Sequence, residues 1–315
     1  MKVAVIGRGF GVYAMKPSFE ARGWQVEVVA ARDAAAVAAA CEGDADLIAV
    51  HSPPFQHREH VLRAIAAGKD VLCDKPFGRN AAEAREMRDA ARAAGVLDFL
   101  NFEFRQQPAR AKVAELIHAG AIGDLQHIAC SSLMGYMRKR GYGWLNDASL
   151  GGGWLGAWGS HMIDAFRWQS GSEVVDCGGV SRVEIAQRPD DSGALHACTA
   201  EDGFSAWLKF ANGATALIDG AAASAVNVAS TLVYMGSEGA IEVGDTSVTL
   251  RRGKDEPKVF DFTPPQGASA WAAVESWIAQ IEQARASRTR ITPNFDDGLA
   301  AAEVMDQLKV RMVRA

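Results

Sequence analysis

The feature that most constrains this chain is its first eleven residues, where a wholly apolar run breaks into glycines. Val3-Ala4-Val5-Ile6 is continuous rather than alternating, as expected of a strand buried on both faces of a parallel sheet. Gly7-Arg8-Gly9-Phe10-Gly11 follows at once, and a helical segment around Ala14–Arg22 comes next. Glycines between a strand and a helix allow a tight turn and close backbone approach to a pyrophosphate at the helix N-terminus. The full G-x-G-x-x-G fingerprint would place a further glycine at position 12, which is Val12 here.

The pattern continues through the first 120 residues. Apolar runs at Val26–Ala31, Asp46–Val50, Val71–Cys73 and Val96–Leu100 alternate with helical segments at Ala34–Glu42, Gln56–Ala67 and Ala81–Ala94. Strand–helix alternation of this kind builds βαβ units and a doubly wound parallel sheet. After residue 122 the period shortens. Leu125–Leu133, Val174–Ala186, His196–Thr199, Phe204–Phe210, Ala214–Ala222, Val228–Met235, Ala240–Val243 and Ser247–Arg251 read as strands, and Asn212-Gly213 is a strong hairpin signal. Helices are expected at Gly159–Gln169, Trp271–Ala286 and Asp296–Arg314. The expected architecture is an α/β chain in two parts. Residues 1–120 form a Rossmann domain, and 121–315 form a substrate-binding and oligomerisation domain with a large open, mostly antiparallel sheet, its last helix able to pack back on the first domain.

At 315 residues the chain is long for one core. Its net charge is −5 and neither half is rich in basic residues, which argues against a nucleic-acid footprint. Five widely spaced cysteines with no C-x-x-C suit reduced thiols and no structural zinc site. No apolar run approaches the length of a membrane span and Met1-Lys2 leads directly into a strand, so a cytoplasmic protein is expected.

Several side chains stand out chemically. Lys75 ends the run Asp70-Val71-Leu72-Cys73-Asp74 and precedes Pro76, which places an ammonium at the carboxyl end of a strand, where open α/β sheets bind ligands. The second strand ends Ala30-Ala31-Arg32-Asp33. A neutral residue followed by arginine suits a 2′-phosphate, so NADP(H) is favoured over NAD(H). Asp33 either caps the next helix or competes for the ribose. His161 follows a glycine-rich stretch and has a suitable pKa for taking a hydroxyl proton; Asp164 lies one helical turn on, with Arg167 as its other available partner. His51, His57 and His60 are close in sequence, and a cofactor-side role is preferred to a metal site. Arg138-Lys139-Arg140 reads either as an anion-binding loop or as a solvated basic one. Trp144, Trp154 and Trp158 read either as an apolar wall for a substrate ring or as core.

Together these segments resemble the glucose–fructose oxidoreductase / inositol dehydrogenase (Gfo/Idh/MocA) family over nearly the whole chain. Asp46-Leu47-Ile48-Ala49-Val50-His51-Ser52-Pro53-Pro54-Phe55-Gln56-His57 looks like the family's third cofactor strand and Pro-x-x-His turn. Asp74-Lys75-Pro76 is similar to its Glu-Lys-Pro signature, with Asp74 in place of Glu. Phe102-Glu103-Phe104-Arg105 resembles its Arg-containing segment, and Gly151-Gly152-Gly153 through His161-Met162-Ile163-Asp164 its Gly-Gly-Gly…Gly-x-His-x-x-Asp segment. The resemblance implies a nicotinamide between two domains, and Lys75, His161 and Asp164 as the groups that carry the chemistry. It also implies cofactor contacts from Gly7, Gly9, Phe10, Gly11, Arg32, Ser52, Pro53, His57, Asp74, Lys75 and Pro76. Arg105, Trp144, Trp158 and His161 would face the substrate. The implied activity is hydride transfer on a sugar, polyol or related small molecule by a homodimer or homotetramer, with no metal, nucleic acid or membrane involved. An open sheet face rich in small residues such as Ala221–Ala225 would serve for association. Many inositol-dehydrogenase-like members carry an aspartate four residues before the histidine; here that residue is Ala157. The alternatives are a non-catalytic NAD(P)- or sugar-sensing protein on the same scaffold, or a redox-neutral sugar-modifying enzyme.

Overall fold

The computed structural model describes residues 1–315. It has two compact units, Met1–Gln106 with Ala268–Glu303, and Gln107–Gly267 with Val304–Ala315. In the first, β1 (Lys2–Ile6), β2 (Gln25–Val29), β3 (Leu47–Val50), β4 (Asp70–Cys73) and β5 (Asp98–Leu100) form one sheet in the order β2-β1-β3-β4-β5. Every pairing is parallel. Val3–Ile6 and Leu47–Val50 are fully buried, the reason those runs are apolar without alternation.

The connecting helices are α1 (Lys16–Ala21), α2 (Ala34–Glu42), α3 (Pro54–Ala66) and α4 (Ala81–Ala94). Local chemistry sets their ends. Asp33 accepts the Ala36 N–H and Asn80 the Glu83 N–H, while Gly95 closes α4 in the left-handed conformation. The strand order reverses between β1 and β3, and ligands bind at the carboxyl ends of strands at such a switch point.

The second unit holds α5 (Pro108–His118), β6 (Leu125–Leu133), α6 (Ser160–Ser170), β7 (Val174–Arg182), the short ribbon of β8 (Gln187–Pro189) and β9 (Leu195–Ala197), then β10 (Gly203–Phe210), β11 (Thr215–Ala221), β12 (Thr231–Gly236), β13 (Gly239–Val243), β14 (Ser247–Arg252) and β15 (Lys258–Asp261). Helix α7 (Ala272–Ser287) lies in the first unit, α8 (Phe295–Arg311) runs from the first into the second, and β16 (Met312–Arg314) ends the chain. The large sheet has the order β15-β14-β13-β12-β6-β11-β10-β7-β16. Its pairings are antiparallel except β6 with β11 and β7 with β16.

Three details differ from the expectations. The segment 268–303 packs with the first unit, although chain order places it after residue 120. Val274, Trp277, Ile278, Ile281 and Ala284 share one face of α7 and are buried with Val3, Val5, Phe19, Trp24, Leu47 and Phe99. The last helix stops at Arg311, because Met312–Arg314 pair with Gly179–Ser181 along the edge of β7. Ala221, Ala222 and Ala223 are buried, so they form no open face. The uncovered apolar face of the large sheet lies elsewhere. Trp207 stands opposite Leu217, Leu217 beside Ala129, and Ala129 beside Val233. Trp207 and Leu217 are 42% and 53% exposed, whereas their neighbours Ala206, Leu208, Ala216 and Ile218 point to the core. No helix is long and apolar enough to cross a membrane.

Candidate active site

The glycine-rich turn leaves β1 at the switch point. Gly7 has φ 123°, and a Cβ there would collide with the His51 carbonyl at the end of β3. A Cβ at Gly11 would come within 2.8 Å of Val5 Cγ1 and 3.1 Å of His51 Cβ. Packing therefore requires both glycines. Gly9 differs: a Cβ there would meet no protein atom within 4 Å, so nothing in the fold itself demands glycine at that position. The open space there leaves room for a ligand to approach the backbone closely, as a dinucleotide pyrophosphate would. The helical path begins at Gly11, earlier than expected, as a π-turn over Gly11–Met15. Phe10 packs edge-on against Tyr13. Val12 is 37% exposed, so a side chain at the fingerprint's last glycine position costs the fold no packing.

Beyond β2, Asp33 caps α2, with 3.0 Å from its Oδ1 to the Ala36 nitrogen. Arg32 is exposed and makes no ion pair. Ala31 is held through its carbonyl by Gln56 Nε2 at 3.0 Å.

The ends of β3, β4 and β5 converge on Asp74. His51 Nδ1 lies 3.1 Å from Asp74 Oδ2, the Lys75 N–H donates to Oδ1 at 2.9 Å, and Asn101 Nδ2 donates to Oδ1 at 3.3 Å. Burial opposes the charge of Asp74. The His51 hydrogen bond and the nearby Lys75 ammonium nonetheless hold the carboxyl well below the usual range. Lys75 follows immediately, half-buried, and the Lys75–Pro76 peptide is cis. His57 is buried with Nε2 2.6 Å from the Ser52 carbonyl and Nδ1 3.1 Å from the Pro76 carbonyl. Burial lowers its pKa, against the opposing pull of Asp74 and the two carbonyls. His57 thus ties the β3 turn, which carries Ser52 and Pro53, to the turn that carries Lys75. Ser52 Oγ is 3.0 Å from His60 Nδ1. The three histidines are engaged with protein groups.

Sequence reasoning missed Glu103. It opens a 3-10 turn over Glu103–Gln106 after β5, and burial pushes its carboxyl up to about 7, with Lys75 opposing and Asp74 adding to the shift. Its signal was weak, an acid between Phe102 and Phe104. Arg105 in the same turn is buried and donates to Asp297 Oδ1 at 2.8 Å. Its guanidinium is thereby engaged within the first unit, where a buried arginine without that carboxylate would be costly.

In the second unit the triple glycine is a packing device. Gly151 adopts φ 75°, a Cβ on Gly152 would press on the carbonyls of Trp144, Leu145 and Asp147, and Gly153 (φ 114°) lies against the Glu201 carboxylate. Glu201 accepts the Leu155 N–H at 3.0 Å, which positions the turn into α6. That acid was also not foreseen. His161 and Asp164 are both buried in the first turns of α6. Arg167 Nη1 lies 3.9 Å from Asp164 Oδ1, but its hydrogen bonds go to Glu173 at 2.6 and 2.7 Å. Residue 157 is alanine and supplies no carboxylate to this helix start.

The Trp158 ring stacks on Trp154 at 6.2 Å and packs on Phe204, and a Cβ on Gly220 would strike it at 2.7 Å, so it packs against β10 and β11. Trp144 stays partly exposed in a short turn, Trp144–Asn146. The basic loop Arg138–Arg140 is exposed but its backbone is tied down. Buried Arg188 donates through Nη1 to the carbonyls of Met137 at 2.6 Å and Arg140 at 2.9 Å.

Parallel strands, a glycine turn at the switch point and a lysine at the end of β4 describe a dinucleotide-dependent enzyme class. The comparisons agree. Residues 39–102 match the model of the oxidoreductase family with an NAD-binding Rossmann fold, and residues 111–242 match the GFO/IDH/MocA C-terminal domain. An uncharacterized oxidoreductase of Synechocystis is 31% identical over 83% of this chain and 76% of its own length. Inositol 2-dehydrogenase of Rhizobium meliloti is 25% identical over 91% of this chain and 82% of its own. The structure of levoglucosan dehydrogenase in complex with NADH and levoglucosan superposes with a TM-score of 0.88 at 21% identity, covering 99% of this chain and 96% of that one, a likeness of fold. The chain belongs to the GFO/IDH/MocA oxidoreductase family. It is an NAD(P)-dependent enzyme of the dehydrogenase/reductase class, with its Rossmann domain in the first unit.

Proposed function

We propose that the chain transfers a hydride between NADP(H) and a hydroxyl-bearing carbon, or the corresponding carbonyl, of a small sugar or polyol. The observation that carries this reading is Lys75, an ammonium at the carboxyl end of β4 beside a carboxylate held by three donors. The bound nicotinamide would supply or accept the hydride. Gly7, Gly9, Phe10 and Gly11 would cradle its pyrophosphate, and Ser52, Pro53, Asp74 and Pro76 would line its remaining path. Arg32 supports the 2′-phosphate preference, since Asp33 is committed to its cap.

In the oxidative direction Lys75 would stabilise the developing alkoxide, a contribution of about 3 kcal/mol in a water-poor site. His161 would take the hydroxyl proton, with Asp164 orienting the imidazole or a second hydroxyl. The names of inositol 2-dehydrogenase and levoglucosan dehydrogenase support a sugar-like substrate. The exposed row through Trp207 and Leu217 supports self-association through the large sheet. Five buried, unpaired cysteines fit a reducing cytoplasm.

Calorimetric titration with NADPH and NADH, followed by nicotinamide absorbance with myo-inositol and levoglucosan, tests the reading. Tighter NADPH binding and a substrate-dependent absorbance change are expected. Failure to bind either nucleotide would refute it.

A further inference from the structure

His51 has no part in the chemistry proposed above, yet its imidazole is completely buried between the phosphate loop and the turn that carries Lys75. On one side a Cβ at Gly11 would lie 3.1 Å from His51 Cβ, and the Phe10 ring sits 6.0 Å away, centroid to centroid. On the other, Nδ1 reaches Asp74 Oδ2 at 3.1 Å. Nε2 is buried and makes no hydrogen bond. An N–H at that position would be unsatisfied, so the hydrogen-bond network selects the tautomer that donates from Nδ1 to Asp74.

Asp74 distributes this hold. Its Oδ2 faces His51 while Oδ1 takes the backbone N–H of Lys75 and the Asn101 amide. The turn is thereby fixed from β3, β4 and β5 together. The aspartate is one methylene shorter than the glutamate of the Glu-Lys-Pro signature, and a histidine on the neighbouring strand meets it.

We propose that His51 and Asp74 form a positioning dyad that couples the phosphate loop to Lys75, setting the orientation and electrostatic surroundings of its ammonium. The charged and titratable groups around the pair are Lys75 and His57, each of which acts on Asp74, and Glu103, which senses both Asp74 and Lys75. The proposal rests on the reading of Lys75 as the group that meets the reacting oxygen. Asparagine at position 51 can place an amide N–H where Nδ1 stood; leucine fills similar space and donates nothing.

The test compares His51→Asn, His51→Leu and Lys75→Met with the wild-type chain in two readouts. The first needs no substrate: the ¹³C NMR titration of reductively methylated Lys75, assigned by its loss in Lys75→Met. His51→Leu is expected to move the midpoint by about half a pH unit or more, and His51→Asn to return it toward the wild-type value. The second is turnover of myo-inositol or levoglucosan at saturating NADP⁺. There kcat should fall about tenfold or more in His51→Leu with the nucleotide Kd nearly unchanged, and recover in His51→Asn. Thermal unfolding above the assay temperature establishes that each variant is folded. An unmoved Lys75 midpoint in folded His51→Leu overturns the dyad, as does a leucine effect that asparagine does not rescue. Full turnover in Lys75→Met would instead refute the role of Lys75, and the titration would still decide whether the dyad sets its surroundings.

Discussion

Arg105 and Asp297 form a buried ion pair, Nη2 to Oδ1 at 2.8 Å, and the second carboxylate oxygen of Asp297 accepts the Asn294 N–H at 2.9 Å. One arginine from the turn after β5 therefore holds the start of α8. Removing it strands a carboxylate that is itself only 16% exposed. Arg105→Met is expected to destabilise the first unit by about 3 kcal/mol in urea unfolding. A loss below about 0.5 kcal/mol would contradict a structural role for the pair.

The division of labour between Arg32 and Asp33 makes two opposite expectations. Arg32→Ala should weaken NADPH binding about tenfold or more while leaving NADH nearly unchanged, since only NADPH carries the 2′-phosphate. Asp33→Ala should leave the preference intact and cost about 1 kcal/mol of stability through the lost cap. Calorimetry on both variants separates the two; equal losses of NADPH and NADH in Arg32→Ala would reject the phosphate role.

Glu103 should make stability depend on pH. Burial raises its folded-state pKa from the ordinary 4.5 to about 7. Between those values the folded chain binds a proton that the unfolded chain has released, so the stabilisation is full below pH 4.5 and is lost as pH rises through 7. The residue surface is only partly buried, which softens the effect to about 2 kcal/mol. Glu103→Gln should gain that amount on wild type between pH 4.5 and 8. Parallel stability curves for the two proteins would contradict it.

The exposed row across β12, β6, β11 and β10 predicts self-association. A charge at its centre should disrupt packing between two such faces without touching either core. Leu217→Glu is expected to shift the chain to a smaller species in sedimentation velocity with its thermal unfolding midpoint little changed. A wild-type chain that sediments as a monomer at 50 μM would remove the proposal.

Periodicity made most of the elements legible. Val3–Ile6 and Leu125–Leu133 appear where buried and half-buried strands were expected, and Asp33, Asn80 and Gly95 mark helix ends by their own chemistry. The short strand Lys258–Asp261 escaped notice because its residues are largely exposed and carry no alternation strong enough to read. Glu201 and Arg188 escaped for a different reason. A buried charge has no sequence period; it is tolerated only through partners such as the Leu155 N–H or the Met137 carbonyl, which lie far away along the chain.

By itself the sequence determined the βαβ beginning, the glycine turn, the lysine that ends the fourth strand and the family to which they belong. These are local signals, written in neighbouring residues. Tertiary structure alone decided that α7 completes the first unit's core, that Trp158 packs against β10 and β11, that Arg105 pairs with Asp297, and that Asp74 rests on His51. Each depends on which distant side chains burial brings into contact. Contact between residues far apart in sequence is set by the packing of whole elements, and no local pattern encodes it.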